Sequence, residues 1–210
     1  MMGGALDILG TGGPVLIILL LLSLLSLALI GVKMAQLWPC GSGVKQRADA
    51  FVMWQKGQQS GAIDLLRPAN APASRLLHDA MTARGTLSEP DFLEAELLRR
   101  GNEAIGQLSK GISKLELVAM ISPLLGLLGT VLGMIQAFQE LELAAGAANA
   151  AVLAGGIWQA LLTTAAGLLV ALPAAIAASL MRARIDAEAQ RIESAVGQFL
   201  LSERANGLKT

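Results

Sequence analysis

The sequence predicts an all-α integral membrane protein: three transmembrane helices, with long helical extensions on the cytoplasmic side. Three observations predict it. Of 210 residues, 54% are hydrophobic but only 15% are charged, against about 25% charged in an ordinary globular chain. The shortfall is local, because the 32 formal charges cluster and leave three long runs with none. Each run can cover the roughly 30 Å of a bilayer's hydrocarbon core as a helix.

The first run lies between Asp7 and Lys33 and holds 25 uncharged residues, with GPVLIILLLLSLLSLALIGV from Gly13 as its body. It lacks a basic n-region, it is too long for a signal's apolar segment, and Lys33 follows it without a convincing small-x-small cleavage site, so it reads as an anchor rather than a cleaved leader. We place an extracytoplasmic N-terminus at 1–13 and span one at 14–32. The second run, 117–139, is 23 uncharged residues between Glu116 and Glu140, one bilayer thickness at 1.5 Å per residue. The third, 143–181, is 39 residues and too long for one span. Its small, weakly apolar start, LAAGAANAAVLAGG, is read as an outer connection over 140–154, and span three follows at 155–180.

All sixteen Lys and Arg fall in two stretches, eleven in 33–116 and five in 182–210. Loops rich in Lys and Arg stay cytoplasmic. The 33–116 loop and the 181–210 tail are therefore inside, and three spans put the N-terminus outside. The loop balances eleven basic with nine acidic residues, so it is no polybasic membrane tail. Its RPANAPAS segment (67–74) is a helix breaker. Ser88-Glu89-Pro90-Asp91 is a helix start, with Ser88 as N-cap, Pro90 in the first turn and an acidic residue three after the cap. Since no further proline occurs before Pro123, one helix of roughly 50 residues is expected from about Glu89 through span two. Gly101, Gly106 and Gly111 would each cost it about 1 kcal/mol against Ala, so it needs packing partners. The tail RARIDAEAQRIESAVGQFLL alternates charge signs, a pattern suited to an exposed amphipathic helix continuing span three into the cytoplasm, with a solvated helical face as the plainer reading. His78 reads as a surface or satisfied helical histidine, and Cys40 as an inert juxtamembrane thiol or, on a weak signal, an acylation site.

Spans two and three differ from span one in kind. Ala119, Ser122, Gly126, Thr130, Gly133 and Ala137 recur every three or four residues, as do Gly156, Ala160, Thr164, Gly167, Ala171, Ala174 and Ala178. Such spacing lays small residues along one helix face. In lipid, small faces let backbones approach and gain dispersion contacts where apolar burial gives no drive. Gly126, Gly129, Gly133, Gly156, Ala160, Gly167 and Ala171 are the expected packing positions. Thr130, Thr163, Thr164 and Gln159 are candidates for a polar pathway, because an unpaired amide or hydroxyl in hydrocarbon costs a few kcal/mol. A threonine has a second way out, bonding a carbonyl of its own helix; Gln159 has less, and should face protein, water or a polar partner. Pro123 and Pro173 are tolerated kink sites, with or without a mechanical role.

Neither later span holds Asp, Glu, His, Lys or Arg in its interior. Proton transfer across a membrane normally needs an ionisable relay inside it. If this chain serves proton movement, the titrating group comes from another polypeptide. The remaining chemistry is sparse. One Cys and one His exclude an internal disulfide and a Cys/His zinc site, and balanced charge argues against nucleic acid. No phosphate loop, nucleophile with a base, or metal cluster occurs, so neither an enzyme nor a cofactor is expected.

The segments LELVAMISPLLGLLGTVLGMIQAFQ (115–139) and GGIWQALLTTAAGLLVALPAAIAASL (155–180) resemble the ExbB/TolQ/MotA family of ion-driven motor subunits. The match is close over about 50 residues of this sequence, and three spans look like ExbB or TolQ rather than the four-span MotA. The resemblance implies a homo-oligomeric ring in the bacterial inner membrane, a pentamer in this family, whose second and third spans line a pore. It implies an ExbD- or TolR-like single-span partner in the pore, carrying an intramembrane Asp. Proton flow through that Asp would drive work on a TonB- or TolA-like envelope protein, such as energising outer-membrane transport. The family's pore-facing threonines match Thr130 and Thr164. ExbB and TolQ typically carry a glutamate where this sequence has Gln159, which leaves proton or sodium open. Two other classes stand beside this reading: a self-sufficient cation channel and a non-conducting membrane scaffold.

Overall fold

A computed structural model describes residues 13–84, 90–143 and 150–207. The described residues form seven helices: α1 Gly13–Leu37, α2 Val44–Gln55, α3 Gln59–Leu66, α4 Pro72–Ala83, α5 Pro90–Ser109, α6 Ile112–Leu143 and α7 Ala150–Gly207. Three segments are long and apolar enough to cross a membrane, in α1, α6 and α7, and this is a multi-pass membrane protein. Two compact units divide the chain, one of residues 1–32 and 111–179, the other of residues 33–110 and 180–210.

The first unit is apolar. Val15, Leu16 and Leu19 of α1 are buried with Val118 of α6 and with Val170 and Ala174 of α7. Much of the remaining surface is also apolar: Leu21 and Leu24, Leu124 and Leu127, and Leu169 and Leu172 are all exposed. A helix apolar on every side is a membrane span or the core of a larger body. Pro123 and Pro173 lie inside α6 and α7, which continue as helix through both.

The second unit is a polar helical bundle around an apolar centre. Trp54, Leu66, Leu76, Leu77, Met81, Leu93, Leu97, Ile192 and Phe199 are buried there, and the Trp54 and Phe199 rings meet at 5.5 Å and 60°. Trp54 Nε1 donates to Glu203 at 3.0 Å, and Glu203 also pairs with Arg84. Arg204 and Glu94 pair at 2.8 Å.

Two sequence expectations are corrected here. The single helix expected from about Glu89 through span two is broken: α5 ends at Ser109 and α6 begins at Ile112. Gly111 sits between them at φ +88°, a left-handed conformation that glycine adopts without steric cost and that ends helices. Gly111 is a helix stop and not merely a propensity penalty. The tail is not simply a solvated helix either. It is the end of α7, and Ile185, Glu188, Ile192, Val196 and Phe199 make a buried face on it. Helix α5 does start at Pro90; the Ser88 cap lies outside the described residues.

Candidate functional site

The candidate site is the contact of α6 with the first half of α7. Along α6, Ser122, Gly126, Gly129, Gly133 and Ala137 are buried. Opposite them, Ala160, Thr163, Ala171 and Ala174 are buried, and Gly167 with them. The backbones come close enough that side chains are excluded. A Cβ on Gly167 would lie 2.5 Å from the Ser122 carbonyl oxygen, and one on Gly126 would lie 2.9 Å from the Thr163 oxygen and from the Thr164 Cα. Cβ atoms on Gly129 and Gly156 would strike Thr163 Oγ1 and Ala137 Cβ, each at 2.5 Å; on Gly133 the nearest atom is Ala160 Cβ at 3.2 Å. Small residues here permit the approach that supplies dispersion energy between helices in lipid.

The buried line differs from the stripe drawn on sequence by one residue on each helix. Gly129, not Thr130, and Thr163, not Thr164, sit at the centre of the contact, with Thr163 only 2% exposed. Spacings of three and four alternate along any helical face, so a pattern of small residues fits two adjacent registers equally well. Thr130 and Thr164 are left half-buried.

The hydroxyls are spent in a consistent way. Thr163 Oγ1 donates to the Ala160 carbonyl at 2.7 Å and approaches that of Gly126 at 3.3 Å. Thr164 Oγ1 donates to the same Gly126 carbonyl at 3.1 Å. Thr130 Oγ1 donates to Leu127 O at 2.6 Å, and Ser122 Oγ to Val118 O at 2.7 Å. Each hydroxyl proton is held by a main-chain carbonyl, so what a hydroxyl can still offer outward is an oxygen lone pair. At the half-buried Thr130 and Thr164 those lone pairs can reach a third party. Gln159 is half-buried one residue before Ala160.

Pro123 and Pro173 add no donor to this contact, since proline has no N–H; Pro173 is exposed and Pro123 half-buried. Near the C-terminal end of α6, Gln136 Nε2 donates to Glu140 at 3.3 Å. Among the described residues no group of three or more His, Cys, Asp or Glu could hold a metal ion. His78, in the second unit, has Nδ1 3.4 Å from Asp79. Burial pushes the Cys40 thiol up from its ordinary range, and the Glu188 charge adds to the shift. A thiol held protonated is a poor nucleophile.

The chain's similarities point the same way. The family model described as the MotA/TolQ/ExbB proton channel family matches residues 68–194. A protein of Vibrio cholerae named biopolymer transport protein exbB1 is 45% identical over 87 residues, 41% of this chain and 38% of that one. A putative ExbB-like biopolymer transport protein of Synechocystis is 30% identical over 199 residues, 92% of each chain. The biopolymer transport protein ExbB of Neisseria meningitidis is 28% identical over 183 residues, 80% of this chain and 82% of that one.

Proposed function

The chain belongs to the MotA/TolQ/ExbB proton channel family, and from that premise we propose that it is an ExbB-type motor subunit serving biopolymer transport from a bacterial inner membrane. Several copies close into a ring, a pentamer as in the resemblance, around a single-span partner of ExbD or TolR type. The partner's intramembrane Asp takes and releases the proton, and its movement performs work on a TonB- or TolA-like protein. The positive-inside bias puts residues 33–116 and 181–210 in the cytoplasm and the N-terminus in the periplasm. No enzymatic step is required of this chain.

One observation carries the reading. Among the described residues, the buried line of the α6–α7 contact, from Ser122 to Ala137 and from Ala160 to Ala174, holds hydroxyls and no ionisable side chain, and the hydroxyl protons are already engaged. Oxygen lone pairs accept from a protonated carboxylic acid and offer nothing to a carboxylate. Thr130 and Thr164 therefore line a path that favours the neutral acid. An Asp passing along it is held protonated until it reaches water at either end, where the charged form is solvated. Thr163 serves the same wall from behind, tying α7 to the Gly126 carbonyl. Gln159, where ExbB and TolQ typically have glutamate, keeps the wall uncharged.

Thr130→Val together with Thr164→Val tests this. The swap preserves shape and removes both oxygens, so partner-dependent proton uptake into vesicles should fall at least about tenfold, roughly 1.4 kcal/mol in barrier, with the oligomer's native mass unchanged. Undiminished uptake with an intact oligomer would overturn the role given to Thr130 and Thr164.

A further inference from the structure

Among the described buried side chains, Glu188 on the C-terminal half of α7 is a carboxylate that the proposed pathway leaves unused. It is 0% exposed. Its Oε2 accepts from the Gly41 amide at 2.9 Å and from Arg191 Nη1 at 3.1 Å, and its Oε1 accepts from the Ala73 amide at 3.1 Å. A buried carboxylate persists only when paired and hydrogen-bonded, and here three donors satisfy it. Those donors come from separate parts of the chain. Gly41 lies in the short link between α1 and α2, Ala73 in the first turn of α4, and Arg191 one turn along α7.

Each donor explains a local oddity. Helix α4 begins after Ala71, which has no side chain able to cap it; the carboxylate from α7 does that work, and an anion at a helix N-terminus is favoured by the helix dipole. Gly41 holds φ +86° with the Arg191 guanidinium 3.3 Å from where its Cβ would be, so the link closes against α7 only as glycine. Arg47, itself buried, donates to Ser42 O at 2.9 Å and Ser74 Oγ at 2.7 Å, fixing the two strands of chain on either side of the carboxylate.

We infer that Glu188 is a positioning residue: it fastens the chain leaving span one, and the start of α4, to the continuation of span three, so that α7 stays fixed while the partner moves and that movement is not absorbed. This rests on the motor reading above. In the full chain assembled with its single-span partner in lipid vesicles, Glu188→Gln replaces one acceptor oxygen by a donor facing donors. Amide exchange in residues 39–43 and 71–75 should then quicken tenfold or more, with native mass retained. Proton uptake should stay within about twofold of wild type while pH-gradient-driven movement of a fluorescent label on the partner falls tenfold or more. Glu188→Asp, one methylene short of both amides, gives the same pattern if the Gln variant does not accumulate. Parallel loss of uptake and movement would overturn the inference, since a merely structural role lowers both. Unchanged exchange would overturn the clamp itself. A wild-type complex that takes up no protons would instead overturn the motor reading, and the exchange data would still decide the clamp.

Discussion

The two halves of α7 are held by opposite means. Residues 150–179 face α6 through glycine, alanine and threonine, and their specific bonds run from hydroxyl to main-chain carbonyl. Residues 180–207 are held by a buried carboxylate, ion pairs and an aromatic contact. One helix thus uses backbone proximity where its surroundings are apolar and side-chain bulk where they are polar. The difference follows from the solvent: lipid gives apolar groups no reason to leave it, whereas water drives them into a core. A small side chain is therefore the valuable one in the first half and a large one in the second.

Substitutions that exchange these rules break the comparison most. Phe199→Ala empties the centre of the polar unit and should cost about 3–5 kcal/mol, seen as lost protection of α2 and α4 amides. Gly133→Leu does the reverse, overfilling a contact already 3.2 Å from Ala160. We expect a cost of about 1–3 kcal/mol and a smaller or absent oligomer on native mass analysis, because the α6–α7 pair must form before copies can pack. An unaltered oligomer would show that this contact tolerates bulk.

The smallest effect concerns exposed charge. Hydrogen bonds from Arg99 and Arg100 hold the Glu96 carboxyl down at about 2, against an ordinary 4.5. A folded-state value below the unfolded one stabilises above the unfolded value and is lost as pH falls toward the folded one. Helix α5 should loosen slightly between pH 4.5 and 2, and Glu96→Gln should remove that pH dependence in its amide exchange. Exposed pairs are worth little, so a large transition there would have another origin.

Much of the architecture was legible because absence of charge is a strong signal. The uncharged runs marked all three spans, and Pro90 marked the start of α5. The break at Gly111 was not legible, since a glycine that costs a helix about 1 kcal/mol and one that ends it look alike in sequence. At the site, residue types could be read but not which of two adjacent threonines lies in the contact: Thr163 and Thr164 are neighbours in sequence, and only the packed partner decides which faces inward. Glu188 left no trace, because an alternating-sign tail looks the same whether a carboxylate faces water or two amides 147 and 115 residues away. Long-range partners for a buried charge are set by tertiary structure, which local pattern does not encode.

In the proposed motor this chain supplies an uncharged wall and a single-span partner supplies the acid. Proton uptake into vesicles tests it with three preparations: the chain alone, the chain with its single-span partner, and the chain with that partner's intramembrane Asp changed to Asn. Uptake is expected from the second preparation and silence from the other two. Uptake by the chain alone would contradict it and make the protein a channel in its own right.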